Sequence, residues 1–464
     1  MAAPVPASQQ AVGLDSGGEG GTRHLSTTLF VRMWAAAHVI HLAGATDSRL
    51  DTPWNIVTFG TALIAVWSPR GRWLAVMAGA QVLDLVVEMP YSPDHWILAG
   101  AVNVAILLTL AWRRSCSLPA VAAAFPAARW ILLIAYSAAA LSKYNVTFLD
   151  PLRSCAGAIA DTASFGLTRE SGLGPAFVMA TIAFETLIPI LLMIRRTRRH
   201  GVRVAMVFHF ILSASPGFAV VDFTAALYAL FLLFLADEDV AAIVDRLARV
   251  TSRSAIVRDV RRAPWLAMAL AFLALGFLGY ASVRVSSAIL FVASEVYLIA
   301  FLAAALLTWR TTRSAQALGR PLAVQVFVLL VVVVWAAMPY IGVRTSGVFT
   351  MFSGLRTEGA SPNHVFMPSL QVSDWASDLV IIKRSNDPRV QAATGETIGL
   401  PVMGIRRLAT ENPALVVEGT LNGAPVTFGP GAGQIQLQPL TRWEDKLLLY
   451  RPVAVGTPRF CTMS

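Results

Sequence analysis

The stretch PLAVQVFVLLVVVVWAAMPYIG, residues 321–342, contains no charged side chain and is long enough to cross a bilayer as a helix. Similar apolar stretches recur on its N-terminal side. The 464 residues are 56% hydrophobic and 14% charged, whereas a soluble globular protein has about 25% charged residues. This balance excludes an ordinary soluble enzyme, a disordered protein and a small disulfide-rich fold. The sequence therefore predicts a multi-pass membrane protein.

Roughly eleven apolar segments approach the length of about 20 residues that a membrane-spanning helix needs. The predicted fold class is an all-α membrane bundle with a small strand-rich domain at the C-terminal end. No internal repeat is visible, which disfavours the inverted-repeat transporter folds. We place the segments at about 27–45, 54–68, 73–89, 94–112, 127–142, 173–194, 203–218, 220–236, 264–283, 286–309 and 321–342.

The basic residues predict the orientation of the bundle. If the N-terminus is cytoplasmic, the inner loops hold twenty Arg and the outer loops hold five Arg or Lys. Basic residues collect on the cytoplasmic side of membrane proteins, so we expect the N-terminus inside and the region after residue 342 outside. The formal charge of +10 sits in short loops beside membrane lipids, and no nucleic-acid partner is expected.

Changes in composition divide the chain into five parts. The last part has turn signals such as Asn422-Gly423, which are typical of strand-rich structure. In order, the parts are a disordered tail without signal-peptide character (1–25), a membrane domain (26–236), an amphipathic linker on the inner surface (237–263), additional transmembrane helices (264–342) and a small extracytoplasmic α/β or β-rich domain (343–464).

Ionisable side chains inside a bilayer are costly, so each one in an apolar segment is a candidate functional residue. Most of them fall toward the predicted outer ends of their helices, which predicts one cavity that opens outward. His38 and His41 are three residues apart and therefore share one helix face. The whole set is His38, His41, Asp84, Glu88, His95, Lys143, Glu185 and His209.

Lys143 stands out because 34 of the 37 basic residues are Arg and because no other Lys occurs before residue 383. A desolvated Lys can lose its proton and act as a base, whereas Arg cannot. The alternative is an ammonium that reaches the membrane surface from a helix end. His95 has a similar pair of interpretations, since it is either an acid/base residue or an interfacial residue beside Trp96. Glu185 and His209 are either functional or paired with neighbouring helices.

Several chemical signatures are missing from the sequence. There is no short metal-binding motif, Walker loop, dinucleotide fingerprint or serine nucleophile elbow. We therefore expect no metal, although Asp84, Glu88, His38 and His41 together leave that alternative open. Cys155 and Cys461 both fall on the predicted outer side, where a disulfide is permitted, and whether they pair stays open at this point.

Four segments within residues 25–236 resemble the vitamin K-dependent γ-carboxylase-like family, also called the horizontally transferred transmembrane domain family. Their order and spacing agree with the family although no single segment is diagnostic. They are Asp94-His95-Trp96-Ile97-Leu98, Leu141-Ser142-Lys143-Tyr144-Asn145, Phe184-Glu185 with the basic loop 195–199, and Phe208-His209-Phe210.

The resemblance implies a membrane enzyme that uses a reduced quinone of the menaquinone or vitamin K type. It implies Lys143 as the amine base and His95 as the acid/base or carbanion partner. The candidate quinone or substrate contacts are Asp94, His209 and Glu185, to which we add His38 and His41. Asp94 stands where the family has Asn, and the family's large luminal domain is missing, which argues against glutamate carboxylation itself.

Residues 344–359 and Asn363-His364 resemble a motif of bacterial proteins of the same group. By position this motif is a cap over the outward cavity, with Arg356, Glu358 and His364 as candidate contacts, or else a structural turn. The leading hypothesis is an enzyme acting on a quinol or another lipid-soluble or peptide substrate. The alternatives are a non-catalytic lipid- or partner-binding membrane protein and a transporter.

Overall fold

The computed structural model describes residues 18–44, 50, 52–164, 166–214, 220–252, 283–308, 316–359, 362–391 and 398–454. Helices occur in every predicted apolar segment except 264–283, which lies outside the described residues. They are α1 (Gly18–Ala43), α2 (Pro53–Trp67), α3 (Gly71–Glu88), α4 (Asp94–Arg113), α5 (Leu118–Ala122), α6 (Phe125–Ser142), α7 (Val146–Leu149), α8 (Cys155–Ala163), α9 (Leu167–Glu170), α10 (Gly174–Met193), α11 (Arg198–Ser213), α12 (Val221–Leu232), α13 (Asp237–Ser252), α14 (Val283–Leu307) and α15 (Ala323–Ala337).

Four of the described helical stretches are long and apolar enough to cross a membrane. They are Asp94–Arg113, Leu118–Ser142, Gly174–Met193 and Ala288–Leu307. The apolar helices α2, α12 and α15 are shorter, with 15, 12 and 15 residues. At 1.5 Å per residue, such helices reach about 18–23 Å, which is less than the ~30 Å hydrocarbon core. The described residues therefore support a helical membrane protein and show four candidate spans, not the eleven that the sequence predicts.

The α12 helix forms the centre of the bundle. Leu227, Tyr228, Ala229, Leu230 and Phe231 are all fully buried in it, and α1 packs along its length. A helix that is apolar on every side has to be enclosed, either by other helices or by lipid. In α12 the neighbouring helices provide that enclosure, so this short helix holds the bundle together from inside.

Other helices expose apolar side chains at the periphery. Phe327, Leu330 and Val334 of α15, and Val292 and Val296 of α14, are each more than half exposed. Apolar patches of this kind on a water-soluble protein promote association, whereas lipid tails cover them without cost. The outer faces of α14 and α15 therefore match a hydrocarbon surrounding.

The N-terminal end of the predicted membrane domain differs from the sequence-based boundary. The first helix begins at Gly18, before the predicted boundary at residue 25. Once the apolar part of this helix packs against its neighbours, the helix can extend toward its N-terminus without a new nucleation step. This explains the additional helical turns before residue 26. Ser26 on this helix donates to a carboxylate oxygen of Asp237 at 2.6 Å. That contact joins α1 to α13, the amphipathic helix in the predicted linker, whose Val240 and Ile243 are buried.

The C-terminal part is a small α/β domain, as the turn and strand signals predicted. Its antiparallel sheet has four strands and a two-residue fifth strand at one edge, in the order β4-β3-β1-β2-β5. Asn422 and Gly423 both have positive φ and close the β3–β4 hairpin, as expected for an Asn-Gly turn. The elements are β1 (Leu379–Ser385), α16 (Pro388–Gln391), β2 (Ile398–Pro401), α17 (Val402–Glu411), β3 (Val417–Leu421), β4 (Ala424–Phe428), α18 (Arg442–Leu447) and β5 (Val453–Ala454).

A few polar contacts fix this domain on the turn between α3 and α4. Lys446 donates to the carbonyl oxygens of Val87 and Met89 at 2.8 and 3.0 Å. The buried Arg344 donates to the carbonyls of Pro90 and Leu447 at once. Because helix-end carbonyls need partners, these cations stabilise both the end of α3 and the contact between domain and bundle.

Asp387 provides a pH-dependent test of the C-terminal domain. Its carboxylate is 3% exposed and accepts hydrogen bonds from the side chain of Arg389, which hold the pKa of Asp387 below its ordinary value. A lowered folded-state pKa stabilises the fold above the unfolded-state pKa of about 3.9, and this stabilisation is lost as the pH falls through the folded pKa. Asp387→Asn keeps the size of the side chain and removes the charge.

We expect Asp387→Asn to cost about 1 kcal/mol at pH 7, because Arg389 is 52% exposed and solvent weakens the pair. The thermal unfolding midpoint of the full chain in detergent should therefore be lower than in the wild type at pH 7, and the two should converge below about pH 4. Glu418→Gln, at an exposed position on β3, is the matched control. A difference that persists unchanged at low pH would contradict the ion-pair explanation.

Candidate functional site

A cavity of about 420 Å³ lies between α6, α8, α10, α11 and α12. Its size is within the range of about 300–1,000 Å³ that is usual for small-molecule sites. Most of its wall is aliphatic or aromatic, with a few polar side chains. The polar lining residues are Tyr136, Lys143, Ser164, Thr181, Glu185 and His209, and the aromatic ones besides Tyr136 are Phe148, Phe177, Phe184, Phe208, Phe223 and Phe352.

Lys143 and Glu185 form an ion pair in the cavity wall. The Lys143 Nζ atom lies 2.7 Å from Oε2 of Glu185, and both side chains are buried. Lys143 is the C-terminal cap of α6, and Glu185 lies in the middle of α10, which packs against α6. The sequence predicted Lys143 as a base or as an ammonium that reaches the membrane surface, and Glu185 as functional or paired. The structure places the two side chains against each other and against the cavity.

His209 completes the polar part of the wall. Its Nε2 atom is hydrogen-bonded to the hydroxyl of Tyr136, which lies on α6. Phe208 and Phe223 pack edge-on against its ring. The imidazole is therefore oriented toward Tyr136 and contacted by two aromatic rings, and the last turn of α11 also supplies apolar lining.

A loop closes the cavity at the Lys143 end, and we name it the capping segment, residues 347–353. Met351 and Phe352 line the cavity directly. Three of its carbonyl groups accept hydrogen bonds from polar residues at and just after the end of α6. Ser142 donates to Thr350 at 3.3 Å, Lys143 to Met351 at 3.0 Å and Asn145 to Ser353 at 2.8 Å. The segment that the sequence predicted as a cap therefore lies over the cavity.

Asp94 anchors the same segment from its other side. Its Oδ1 and Oδ2 atoms accept the backbone N–H groups of Phe349 and Met351 at 3.1 and 3.0 Å. Phe349 and Phe352 have positive φ values of 61° and 52°, which is a strained conformation for a bulky residue. Because the two N–H groups donate to different oxygens of Asp94, a carboxylate suits this position better than an amide, which would place an NH₂ group opposite one of them.

His41 and His95 meet at a carboxylate that the sequence analysis did not single out. Asp222 Oδ2 lies 2.7 Å from Nδ1 of His41 and 3.2 Å from Nε2 of His95. The two imidazole nitrogens are 3.3 Å apart. The ring of Phe223 contacts both His95 and His209, so this cluster lies beside the cavity wall without being among its lining residues.

His38 has a different environment from His41. It bonds through Nδ1 to the carbonyl of Trp34 at 2.8 Å and through Nε2 to Asn103 at 3.1 Å. Asn103 also binds the indole of Trp34 and the amide of Gln81. Since every one of these groups is buried, the network satisfies polar atoms between α1, α3 and α4.

The remaining candidates lie away from the cavity lining. His364 accepts the N–H groups of Phe366 and Met367 and bonds through Nε2 to the carbonyl of Leu141, so it fixes the loop after the capping segment. Arg356 and Glu358 lie in that loop too, and neither is a lining residue. Asp84 accepts a hydrogen bond from the hydroxyl of Thr52 at 2.8 Å, and Glu88 is the last residue of α3.

Sequence reasoning missed four residues that contribute to the site or to the cluster beside it. Asp222 is an ionisable residue within a predicted apolar segment and satisfies the criterion that selected Glu185. Tyr136 carried no comparable signal because a Tyr on a buried helix is ordinary. Met351 and Phe352 belong to the motif identified as a cap, but the candidates chosen there were its charged residues.

Comparisons with known proteins do not assign a family or a function to the chain. No family model matches the chain, and neither the curated proteins nor the solved structures include a match.

The anchoring of the capping segment can be tested with Asp94→Asn. An amide offers one acceptor oxygen, so one of the two N–H groups, of Phe349 or Met351, loses its partner. Leaving a buried N–H without an acceptor costs about 1–3 kcal/mol, which corresponds to roughly tenfold or faster amide exchange in the segment. Hydrogen–deuterium exchange of peptides spanning 345–355, read by mass spectrometry, measures this change.

The control is Asp374→Asn at an exposed position before β1. It should leave exchange in the capping segment as it is in the wild type. Equal protection in Asp94→Asn and the wild type would mean that the carboxylate does not hold the segment.

Proposed function

We propose that this chain is an integral membrane enzyme that binds a quinol or a related lipid-soluble hydroxyl compound in the cavity and removes a proton from it. The observation that carries the proposal is the Lys143–Glu185 pair, whose atoms lie 2.7 Å apart in an otherwise largely apolar cavity. Charged pairs are costly to bury and are retained mainly where they serve a specific role. We infer that this role is proton transfer.

The residues present fit a bicyclic aromatic headgroup with an apolar tail. Flat rings pack well against Phe184, Phe208 and Phe223, and an apolar tail suits the aliphatic remainder of the wall. A hydroxyl placed near Lys143 would find Glu185 and His209 within the same polar group. The resemblance to γ-carboxylase-like proteins supports a reduced quinone as this compound.

Lys143 would act as the base with help from Glu185. Within the pair, the proton of the ammonium can shift to the carboxylate, which leaves a neutral amine beside a neutral acid in a surrounding that disfavours separated charges. Lys143 would then take the proton of the bound hydroxyl, and its new ammonium would remain beside the resulting oxyanion. Electrostatic stabilisation of this kind is strong where water is excluded.

The capping segment supplies the exclusion of water. It joins Lys143 to the backbone carbonyl of Met351, so the same ammonium that contacts Glu185 also holds the cover in place. Binding of a substrate hydroxyl would compete for this ammonium. We therefore propose that the cover and the base respond together to the ligand.

We also propose the full arrangement of the chain in the membrane. It crosses the bilayer about eleven times, with the N-terminus in the cytoplasm and the C-terminal domain outside. The excess of Arg in the predicted inner loops supports this orientation. Cys155 is disulfide-bonded, which suits a position on the oxidising side.

A non-catalytic lipid-binding protein is the second candidate. It is favoured by the fact that Lys143 also caps α6 and binds two backbone carbonyls, of Ala139 and Met351, as a structural residue would. In that case the cavity holds a lipid and the ion pair only orients it. The two proposals differ in what a charge-conserving substitution should do.

The test is Lys143→Arg. Arg keeps the positive charge and an ion pair with Glu185 but does not give up a proton in a protein. The deprotonated quinol reduces O₂ more readily than the neutral quinol, giving the quinone and hydrogen peroxide. We therefore expect O₂-dependent oxidation of a short-chain reduced menaquinone analogue, measured by chromatography and mass spectrometry above the rate of protein-free vesicles, to fall at least about 100-fold. Binding of the analogue, followed by native mass spectrometry, should remain.

Lys383→Arg, at an exposed position on β1, is the matched control and should behave as the wild type. Turnover that survives in Lys143→Arg would reject the base role. A wild type that binds the analogue and shows no turnover would favour the lipid-binding alternative, and a wild type that does not bind it would reject the quinol as the ligand.

A further inference from the structure

His41, His95 and Asp222 bring three potential metal-ligating atoms to one place beside the cavity. The distances between these atoms are 2.7, 3.2 and 3.3 Å. The residues belong to α1, α4 and α12, and they are separated in the sequence by as many as 181 positions. The proposed proton transfer at Lys143 and Glu185 makes no use of them.

The dimensions of this triangle suit coordination. Zinc-type ions bind imidazole nitrogen and carboxylate oxygen at about 2.0–2.1 Å, which puts neighbouring ligand atoms about 2.8–3.4 Å apart for angles between octahedral and tetrahedral. The observed separations of 2.7–3.3 Å lie close to this interval. One ion can therefore contact all three atoms with little rearrangement.

Hydrogen bonds alone account less well for the same contacts. Nδ1 of His41 faces both the oxygen of Asp222 and Nε2 of His95. A ring nitrogen presents either one hydrogen or one lone pair in the ring plane, so it cannot satisfy both neighbours. If both imidazoles donate to Asp222, their two N–H groups converge on the same oxygen atom. A cation between the three atoms would accept one lone pair from each of them.

The surrounding contacts orient the ligands. The ring of His41 stacks on Trp96 with a centroid distance of 3.9 Å, and Trp96 is buried. The other oxygen of Asp222 accepts the backbone N–H of Phe223 at 2.7 Å. Contacts that hold metal-ligating side chains in place raise the affinity of a site. The side chain of His95 is 24% exposed, which leaves a path for an ion.

We infer that His41, His95 and Asp222 bind one divalent first-row transition-metal ion. Two imidazoles and one carboxylate are the donor set of catalytic zinc sites and of non-haem iron(II) sites, both of which keep positions for water or a substrate. The sequence prediction of no metal rested on short motifs, and three ligands from three distant helices produce no such motif. This inference stands on its own geometry and does not depend on the proposed quinol chemistry.

The experiment uses the full chain in detergent, purified through a tag that contains no histidine. After treatment with a chelator and desalting, the protein is loaded separately with Zn²⁺ and, without oxygen, with Fe²⁺, and bound metal is measured by elemental mass spectrometry. We expect about one ion per chain for the wild type and at least tenfold weaker retention for His95→Ala. Loading with Co²⁺ should give visible absorption bands that His95→Ala lacks.

His24→Ala removes an exposed imidazole and is the matched control, with metal retention equal to that of the wild type. Lys143→Arg should also retain the ion, which separates this proposal from the proposed catalytic base. Thermal unfolding checks that His95→Ala is folded, and Asp222→Asn, which keeps the shape of the side chain, serves as a second variant. A wild type that retains no more metal than His95→Ala and Asp222→Asn would mean a hydrogen-bonded cluster only and would overturn the inference.

Discussion

The capping segment is irregular backbone packed on the end of an apolar helical bundle, and its polar groups have to be satisfied there. Regular helices satisfy their own N–H and C=O groups, but a buried loop depends on side chains for its hydrogen bonds. Ser142, Lys143 and Asn145 donate to its carbonyls, and Asp94 accepts from its N–H groups. The closure of the cavity and the position of the candidate base therefore depend on one set of hydrogen bonds.

This arrangement gives Lys143 three partners: a carboxylate, a backbone carbonyl of its own helix and a carbonyl of the cover. Lys143 is therefore both a hydrogen-bond donor to the capping segment and the candidate base, and the same ammonium group carries both roles. The strained φ values of Phe349 and Phe352 persist because Asp94 and Lys143 fix the residues around them. The site thus resembles many functional sites in which local strain is stabilised by surrounding contacts.

Two groups of ionisable residues lie on either side of Phe223. On one side are His209 and, in the same cavity, Lys143 with Glu185; on the other are His95, His41 and Asp222. Phe223 adjoins Asp222 in the sequence, so the position of one α12 turn sets the spacing of both groups. Because the following turns of α12, residues 227–231, are fully buried, that spacing is fixed by core packing and not by a surface loop.

Of the eleven spans that the sequence predicts, the described residues show four candidates. The sequence did predict a helical membrane protein, helices in the apolar segments that the structure describes, the hairpin at Asn422-Gly423, and Lys143, Glu185 and the histidines as candidate residues. These features follow from local composition and periodicity, which a single chain displays directly. Three other features are visible only in the folded chain. Asp222 meets His41 and His95, whereas His38 belongs to a separate network. The cavity is lined by Met351 and Phe352 and not by the charged residues of the same region, Arg356, Glu358 and His364. Each of these outcomes depends on contacts between residues that are far apart in the sequence. The physical reason is that the packing of whole helices, and not any local pattern, sets which of their polar atoms meet.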